Sequence, residues 1–204
     1  MHKEILTKEQ VQILPLIKKF YNDFGLVGGT AFALILGHRR SIDFDLFSNQ
    51  DFNNLNIKKR VAHFKEIDNI FVNRKGEFTF LINNVKITFF HYPFKIDFFE
   101  EFENIIKMPD LLTLAAMKAY ALGMRAKWKD YVDLYFTARD HFSIKEIADR
   151  ANKIFGAEFN EKLFRSQLAY SKDIDYTEKV IYLPGLEVPD KIIRKKLKEV
   201  SLNF

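Results

Sequence analysis

The fold of this chain is decided by two neighbouring segments, Val27-Gly28-Gly29-Thr30 and Ser41-Ile42-Asp43-Phe44-Asp45-Leu46. Together they predict a strand, a glycine turn, a short helix and a second strand. In the second strand the apolar residues Ile42, Phe44 and Leu46 alternate with two aspartates. Because successive side chains of a strand point to opposite faces, we expect the apolar trio to enter a core. Both carboxylates then lie on the other face, about 7 Å apart at their Cα atoms.

The paired aspartates favour a bound cation, because two like charges held side by side repel each other. Upstream, Gly28 and Gly29 let backbone N–H groups approach a ligand, and we expect Thr30 to cap the following helix. A helix N-terminus after a glycine turn attracts phosphate, and carboxylates suit the Mg²⁺ that accompanies it. The two segments therefore predict a phosphate and Mg²⁺ site with Asp43 and Asp45 as metal ligands. The alternative is a plain tight turn followed by a solvated strand face.

The composition is that of a globular protein. The 204-residue chain is 48% hydrophobic, and its 22 phenylalanines supply ample volume for one or two cores. It has no cysteine, which excludes disulfides and cysteine-based zinc sites and fits a reducing, cytoplasmic compartment. Neither a signal peptide nor an apolar run near the ~18 residues of a membrane span is present, so we expect no membrane partner. The net charge of +5 is compatible with an anionic partner, and the run Lys191–Lys198 is most simply a solvated helix face.

The local patterns divide the chain into two parts near Met108-Pro109. Before this point short apolar alternations between turn residues predict strands, and after it apolar residues recur at helical spacing. Besides the aspartate segment, the predicted strands are Phe24–Gly28, Asn69–Asn73, Glu77–Ile82, Val85–Tyr92 and an edge strand at Lys95–Phe99. The predicted helices are Lys8–Asp23, Thr30–Leu36, Asp51–Phe64, Asp110–Leu122, Lys127–Asp140, Ile144–Phe155, Glu161–Tyr170 and Asp190–Leu202. We expect an α+β protein with a mixed sheet and flanking helices in residues 1–108 and a helical domain in residues 109–204.

One predicted strand is informative for the residue type that it lacks. In Val85-Lys86-Ile87-Thr88-Phe89 the apolar residues share one face, and Lys86 and Thr88 share the other. If this strand lies beside the aspartate pair, Thr88 occupies the position where a third carboxylate could stand. Asp97 is then the nearest alternative acid.

Lys118 lies on the apolar face of a predicted helix, together with Leu111, Leu114 and Leu122. A buried ammonium without a partner is costly, so Lys118 must either reach an anion or extend its head group to water. We expect the anion to lie across the boundary near Pro109. The alternative is a lysine whose head group lies at the solvent edge of its helix.

The next predicted helix carries Lys129, Asp130 and Asp133 on one face, opposite a buried aromatic face. These residues are candidates for binding a ligand. The alternative is a solvated helix face on which Lys129 pairs with Asp133 one turn away. For Arg39 and Arg40, a plain basic loop is a simpler interpretation than a specific phosphate contact.

Two groups of motif residues, one in each half of the chain, complete the pattern. The first group is Gly28-Gly29-Thr30-Ala31, Gly37-His38-Arg39, Ser41 and Asp43-Phe44-Asp45. The second group is Ala116-Met117-Lys118, Arg125 and Lys129-Asp130-Tyr131-Val132-Asp133-Leu134. In order and spacing, over about residues 24–140, these groups resemble the motifs of the AbiEii/AbiGii-type nucleotidyltransferase toxins. The tail beyond residue 140 matches no motif of that family.

The resemblance implies a polymerase-β-like nucleotidyltransferase core that uses an NTP with Mg²⁺, and frequently a toxin with a cognate antitoxin protein. It implies catalytic roles for Asp43, Asp45, Lys118 and Asp130. It further implies nucleotide binding by Gly28, Gly29, Thr30, Ser41, Arg125, Lys129 and Asp133. Thr88 departs from the three-acid pattern of the wider superfamily, which argues against the two-metal form of the mechanism.

We therefore expect an enzyme that transfers a nucleoside monophosphate from an NTP to an acceptor and releases pyrophosphate. The basic balance of the chain favours RNA as the acceptor, such as a tRNA end. Two alternatives stay open. One is a catalytically decayed nucleotide- or RNA-binding module of the same fold. The other is an enzyme that modifies a small, antibiotic-type molecule, for which an acidic pocket would be expected.

Overall fold

The computed structural model describes residues 1–170 and 172–202, which form two compact units. The first unit comprises Met1–Ile35 and Ser41–Asp110, and the second comprises Leu36–Arg40 and the chain from Leu111 onward. The expected boundary after residue 108 lies close to this division. The short segment Leu36–Arg40, however, groups with the helical unit and not with the sheet unit.

The sheet unit contains seven strands and three α-helices among its described residues. The strands are β1 (Gly25–Val27), β2 (Phe44–Ser48), β3 (Asn69–Arg74), β4 (Glu77–Ile82), β5 (Val85–His91), β6 (Glu100–Phe102) and β7 (Ile106–Met108). The helices are α1 (Lys8–Lys18), α2 (Gly28–Leu36) and α3 (Asn54–Ala62). The strands form one mixed sheet in the order β3-β4-β5-β2-β1-β7-β6, which confirms the predicted α+β fold.

Strand β2 occupies the centre of this sheet. It runs antiparallel to β1 and parallel to β5. Phe44 and Leu46 are buried as predicted, but Ile42 is 50% exposed. The prediction for Ile42 is wrong because β2 begins only at Phe44, so the alternation does not extend back to it. Burying each large apolar side chain of this kind stabilises the fold by roughly 1.5–3 kcal/mol.

The edge of the sheet beyond β1 differs from the prediction. Lys95–Phe99 is not a strand, and the hairpin of β6 and β7 forms the edge instead. Its turn residues Glu103 and Asn104 both have positive φ angles, 47° and 52°. Three residues, Glu103 to Ile105, join the two strands, and Asn-Gly is the sequence that signals consecutive positive φ angles well. Glu-Asn does not, since positive φ is uncommon for glutamate.

The helical unit consists of five α-helices and a short 3-10 helix among its described residues. The α-helices are α4 (Leu111–Leu122), α5 (Trp128–Asp140), α6 (Ile144–Phe155), α7 (Glu161–Ala169) and α8 (Asp190–Ser201). Helix α6 has the predicted bounds, and Ser143 and Glu146 form a capping box at its start. No helix in the described ranges is long and apolar enough to cross a membrane.

The segment Leu36–Arg40 is held in the helical unit by backbone hydrogen bonds. The Arg40 N–H donates to the Ile181 carbonyl at 2.8 Å, and the Leu183 N–H donates to the His38 carbonyl at 3.1 Å. These bonds fix the backbone on both sides of Arg39. The side chains of His38 and Arg39 are thereby presented to helix α5, where they become part of the candidate site.

Candidate active site

The predicted glycine turn lies where β1 passes directly into α2. Gly28 has a φ of +68°, in the left-handed region that favours glycine. A Cβ atom at this position would lie 2.4 Å from Oδ2 of Asp45. Only glycine therefore lets the Asp45 carboxylate approach the start of α2 so closely.

Thr30 ties the start of α2 to the aspartate segment. The prediction that Thr30 caps α2 is wrong, because the helix already begins at Gly28. Thr30 is buried, and its hydroxyl donates a hydrogen bond to the backbone carbonyl of Asp43. Thr30 thus fixes the backbone from which the Asp43 side chain projects. Gly29 and Ser41 are both partly buried, within the same turn and just before Asp43.

Asp43 and Asp45 face the same side of the sheet as Lys86 and Thr88. Asp45 is the register partner of Thr88 in the parallel β2–β5 pair. Asp43 Oδ2 lies 2.8 Å from the Lys86 ammonium, and the two side chains are 32% and 43% exposed. The aspartates therefore form a partly exposed pair at one end of β2, with a cation beside one of them.

The strand register also shows which residue occupies the position where a third acid could stand. Thr88 stands directly beside Asp45, as the sequence predicted for an adjacent strand. Its hydroxyl lies 3.5 Å from that of Thr79 on β4, so the neighbouring position offers hydroxyls in place of a carboxylate. Asp97 is exposed and lies outside the strands. Among the described residues, no group of three or more acids, histidines or cysteines could hold a metal ion.

Two carboxylates of the helical unit lie beside the Lys118 ammonium. Its ammonium binds Asp130 Oδ1, and it lies 2.9 Å from Asp133 Oδ2. The prediction that Lys118 reaches an anion is confirmed, whereas an anion across the boundary stays a prediction. Asp130 and Asp133 lie three residues apart on α5, which places both carboxylates on one face of that helix.

Asp133 is the centre of a buried network. It is fully buried, and Arg39 donates to both of its carboxylate oxygens, at 2.7 and 2.8 Å. His38 Nε2 donates to the same carboxylate at 2.8 Å. The solvated-face interpretation of Asp133 and the basic-loop interpretation of Arg39 are both wrong, because these charges are removed from water together. Lys129 pairs instead with Glu178, at 3.1 Å.

Electrostatics keep this network charged. Burial alone would raise the pKa of Asp133, but Arg39 and Lys118 hold it well below the usual range. Burial alone would lower the pKa of Lys118, but Asp130 and Asp133 raise it above the ordinary value. Burial lowers the pKa of His38 more than Asp133 raises it, so this imidazole is neutral at pH 7. Its Nδ1 has no hydrogen-bond partner among the described residues.

Asp130 connects the buried network to the surface. It is buried, and its Oδ2 lies 3.3 Å from Nε of Arg125, whose side chain is 54% exposed. Glu178 forms a second, more exposed cluster with Lys127 and Lys129. Hydrogen bonding by Lys127 is the main reason that the pKa of Glu178 falls to about 2. Sequence reasoning missed Glu178, because it lies in a stretch without a motif.

The two motif groups are thus built differently. The sheet unit brings together the glycine turn, Thr30, Asp43 and Asp45. The helical unit brings together Lys118, Asp130 and Asp133 and adds Arg39 and His38, which sequence analysis did not include in the site. The sequence could have pointed to Arg39 and His38, because both belong to the first motif group and directly follow Gly37.

Comparison with known proteins gives these motifs a family. A family model described as "Nucleotidyl transferase AbiEii toxin, Type IV TA system" matches residues 17–199. An uncharacterized protein of Aquifex aeolicus (strain VF5) is 29% identical over 210 residues, which cover 97% of this chain and 98% of that protein. The family-model match spans both motif groups.

Two solved structures share the fold. The nucleotidyltransferase toxin MenT4 from Mycobacterium tuberculosis H37Rv has a TM-score of 0.59 and 12% identity, over 94% of this chain and 81% of that chain. JHP933 from Helicobacter pylori has a TM-score of 0.56 and 14% identity, over 96% of this chain and 91% of that chain. Since the family model spans most of the sequence and both motif groups, the chain belongs to the AbiEii nucleotidyl transferase toxin family.

Proposed function

We propose that this nucleotidyltransferase uses Mg²⁺ and an NTP to add a nucleoside monophosphate to an RNA, such as a tRNA end. In this reaction a hydroxyl oxygen of the RNA attacks the α-phosphorus, and the bond to the bridging oxygen of the leaving pyrophosphate breaks. The hydroxyl proton passes to solvent or to a protein base. The observation that carries the proposal is the aspartate pair beside the glycine turn, in a chain of this family.

The donor set of the sheet unit fits Mg²⁺. This ion is usually held by one or two carboxylates together with substrate phosphates and water, not by a complete protein cage. Asp43 and Asp45 supply two partly exposed carboxylates on one face. When bound there, Mg²⁺ would neutralise the triphosphate and stabilise the charge that develops in the transition state. Two carboxylates beside Thr88 fit one such ion better than two.

The chain's own residues have distinct proposed roles. The backbone N–H groups of Gly28 and Gly29 at the start of α2 bind phosphate oxygens. Lys86 neutralises Asp43 and offers a cation to the same phosphates. Thr30 positions Asp43 through its backbone carbonyl, and Ser41 lies close enough in sequence to assist nucleotide binding.

In the helical unit, the surface position of Arg125 and Lys129 supports the proposed contact with the nucleotide or acceptor. Lys118 and Asp130 are proposed to act in catalysis as a linked pair. Asp133 is fully buried among its partners, which supports a positioning role in place of the direct nucleotide contact expected from the sequence.

A decayed nucleotide-binding module is the second candidate function. The observation that favours it is Thr88, which stands beside Asp45 where a third acid could lie. Such a module would bind NTP and Mg²⁺ through the same glycine turn and aspartates, but it would not transfer a nucleotide. Binding and transfer must therefore be measured separately.

A labelling experiment separates these functions. The purified protein is incubated with Mg²⁺, total RNA, a protein extract and each α-labelled NTP in turn. We expect label in RNA, abolished by EDTA and by the double substitution Asp43→Asn/Asp45→Asn. Label in protein or in small molecules would overturn the RNA acceptor. NTP binding without any labelling would select the decayed module.

The biological role follows from the family. We propose a cytoplasmic toxin restrained by a cognate antitoxin protein, as the type IV toxin–antitoxin description of the family implies. Expression of the chain alone should slow growth of the host, and Asp45→Ala should relieve this effect. A wild-type chain that is harmless at the same expression level would contradict the toxin role.

A further inference from the structure

The helical unit contains a cavity of about 390 Å³ between α8 and the end of α7. We call it the basic pocket, because one side of it consists of four cationic residues of α8: Lys191, Arg194, Lys195 and Lys198. Among the described residues, no acidic side chain lines it. Tyr131 of α5 and Tyr170, which follows α7, also line the pocket.

The four cations share one exposed face of α8. They fall at spacings of three, one and three residues, while Ile193 and Leu197 on the opposite face are fully buried. Within the described ranges, none of the four forms an ion pair with a carboxylate. Helix α6 is different, since its exposed Lys145 pairs with Asp149 at 3.2 Å. A solvated face would favour such mixed charges, because like charges one turn apart repel each other.

The length of this charged row fits a polyanion. Lys191 and Lys198 are seven residues apart, which corresponds to about 10 Å along a helix. A stacked nucleic acid strand places one phosphate about every 3.4 Å, so the row can meet several successive phosphates. A single free phosphate or nucleotide would engage only part of it.

The aromatic residues distinguish RNA from an acidic protein segment. Tyr170 is 47% exposed at the pocket, so its ring is available for stacking. Tyr131 is held rigidly, because its ring stacks on Trp128 and its hydroxyl donates to the Gln167 carbonyl at 3.3 Å. Tyr131 is itself buried, so Tyr170 is the exposed ring beside the row of cations, a combination typical of sites for single-stranded nucleic acid, in which bases stack and phosphates pair. An acidic peptide needs the cations but not the exposed ring.

We propose that the basic pocket binds the backbone of single-stranded RNA, with Tyr170 as a stacking platform for a base. The proposal rests on the proposed function for the identity of RNA as acceptor, and it names where the helical unit holds that strand. Tyr131 directly follows Asp130 on α5, so the pocket and the Lys118–Asp130 pair share one helix.

The first test removes the charge. The variant Lys191→Gln/Lys195→Gln/Lys198→Gln is compared with the matched control Lys145→Gln/Lys153→Gln/Lys162→Gln, which changes the net charge equally on other exposed helix faces of the same unit. The probe is a labelled 12-nucleotide oligouridylate at several salt concentrations. We expect the pocket variant to lose about tenfold or more in affinity, with a salt slope smaller by about 2, as three lost phosphate contacts predict.

The second test removes the ring. Tyr170→Ala should weaken oligouridylate binding about tenfold, whereas Tyr170→Phe should bind as the wild type does, because stacking needs only the aromatic face. Poly-L-glutamate serves as competitor at equal charge concentration and should displace the oligonucleotide poorly. Efficient displacement together with an unaffected Tyr170→Ala variant would overturn the proposal in favour of an acidic protein segment.

Two further measurements separate this proposal from the proposed function. Thermal unfolding and binding of NTP with Mg²⁺ should be unchanged in the pocket variant. Equal oligouridylate affinity of the pocket and control variants would overturn the pocket while RNA labelling by the wild type still stands. A wild-type protein that labels RNA but does not bind oligouridylate would also overturn the pocket alone.

Discussion

The two units hold their acidic motif residues in opposite ways. In the sheet unit, Asp43 and Asp45 are partly exposed, and the cation beside Asp43 is Lys86, itself 43% exposed. In the helical unit, Asp133 is fully buried and is bound by Arg39, His38 and Lys118. Water weakens the first kind of ion pair to about 0–1 kcal/mol, whereas losing one partner of the second leaves a buried charge uncompensated. The acidic residues of the two motif groups therefore differ in burial, and this difference matches the metal-binding role proposed for Asp43 and Asp45 and the positioning role proposed for Asp133.

The largest expected effect is on stability in the helical unit. Asp133→Asn keeps the shape of the side chain but leaves the guanidinium of Arg39 and the ammonium of Lys118 short of negative charge. We expect the free energy of unfolding to fall by about 3–5 kcal/mol. Urea denaturation followed by circular dichroism measures it. Asp140→Asn on the same helix, in an exposed pair with Arg139, is the matched control and should change stability by less than about 1 kcal/mol.

The second effect is on activity in the sheet unit. Asp45→Asn removes a proposed metal ligand and should lower nucleotide transfer about 100-fold or more, since a metal ion supplies several kcal/mol of charge stabilisation. Stability should stay nearly constant, because the carboxylate is partly exposed. A substitution that unfolds the protein as strongly as Asp133→Asn would abolish the contrast between the units. Transfer assays and denaturation on the same preparation decide between these outcomes.

Lys118→Met tests the residue that could belong to either class. It keeps the volume and removes the charge, while Asp133 retains Arg39 and His38. We expect a loss of stability of about 1–3 kcal/mol, because a charged hydrogen bond is removed from a buried site. Turnover should fall as well, because Lys118 is proposed to act in catalysis with Asp130, and unchanged turnover would contradict that role. Lys129→Met, in a pair with Glu178 nearer the surface, is the control.

The smallest expected effect is a pH dependence. Burial lowers the pKa of His38, so below about pH 6.5 the unfolded chain binds a proton that the folded chain does not. His38 therefore costs no stability above that pH, and the free energy of unfolding decreases as the pH falls below it. Stability measured between pH 7.5 and 5.5 should decline in the wild type and decline less in His38→Gln. The exposed His141 provides the control variant, His141→Gln.

Local patterns predicted most of the secondary structure. Helix α6 has its predicted bounds, because its apolar residues recur at helical spacing. Strand β4 has its predicted bounds, and the two residues of the turn that follows it, Asn83 and Asn84, both adopt positive φ. The β6–β7 hairpin was missed, because its strands have only three residues each and its turn lacks glycine.

The candidate site was predicted only in part, because many of its contacts join residues that are far apart in the chain. Strand alternation depends on neighbouring residues, so the faces on which Asp45 and Thr88 lie could be anticipated. Their pairing joins strands that are far apart in the chain, so the sequence offered it only as a condition. The partners of Asp133 could not, because Arg39 lies 94 residues earlier in the chain. Charged residues are rarely buried unless paired, so a sequence without visible pairs predicts a solvated helix face. Only the three-dimensional structure shows that the charges of α4, α5 and the Leu36–Arg40 segment neutralise one another.

The assignment of Leu36–Arg40 to the helical unit makes the protein a pair of discontinuous domains. The backbone passes from one unit to the other three times, before Leu36, after Arg40 and after Asp110. A fragment that begins at residue 111 would lack the guanidinium that meets both oxygens of Asp133. Recombination at a single point therefore cannot exchange the complete helical unit. An exchanged unit must also include five residues that lie within the sequence of the other unit.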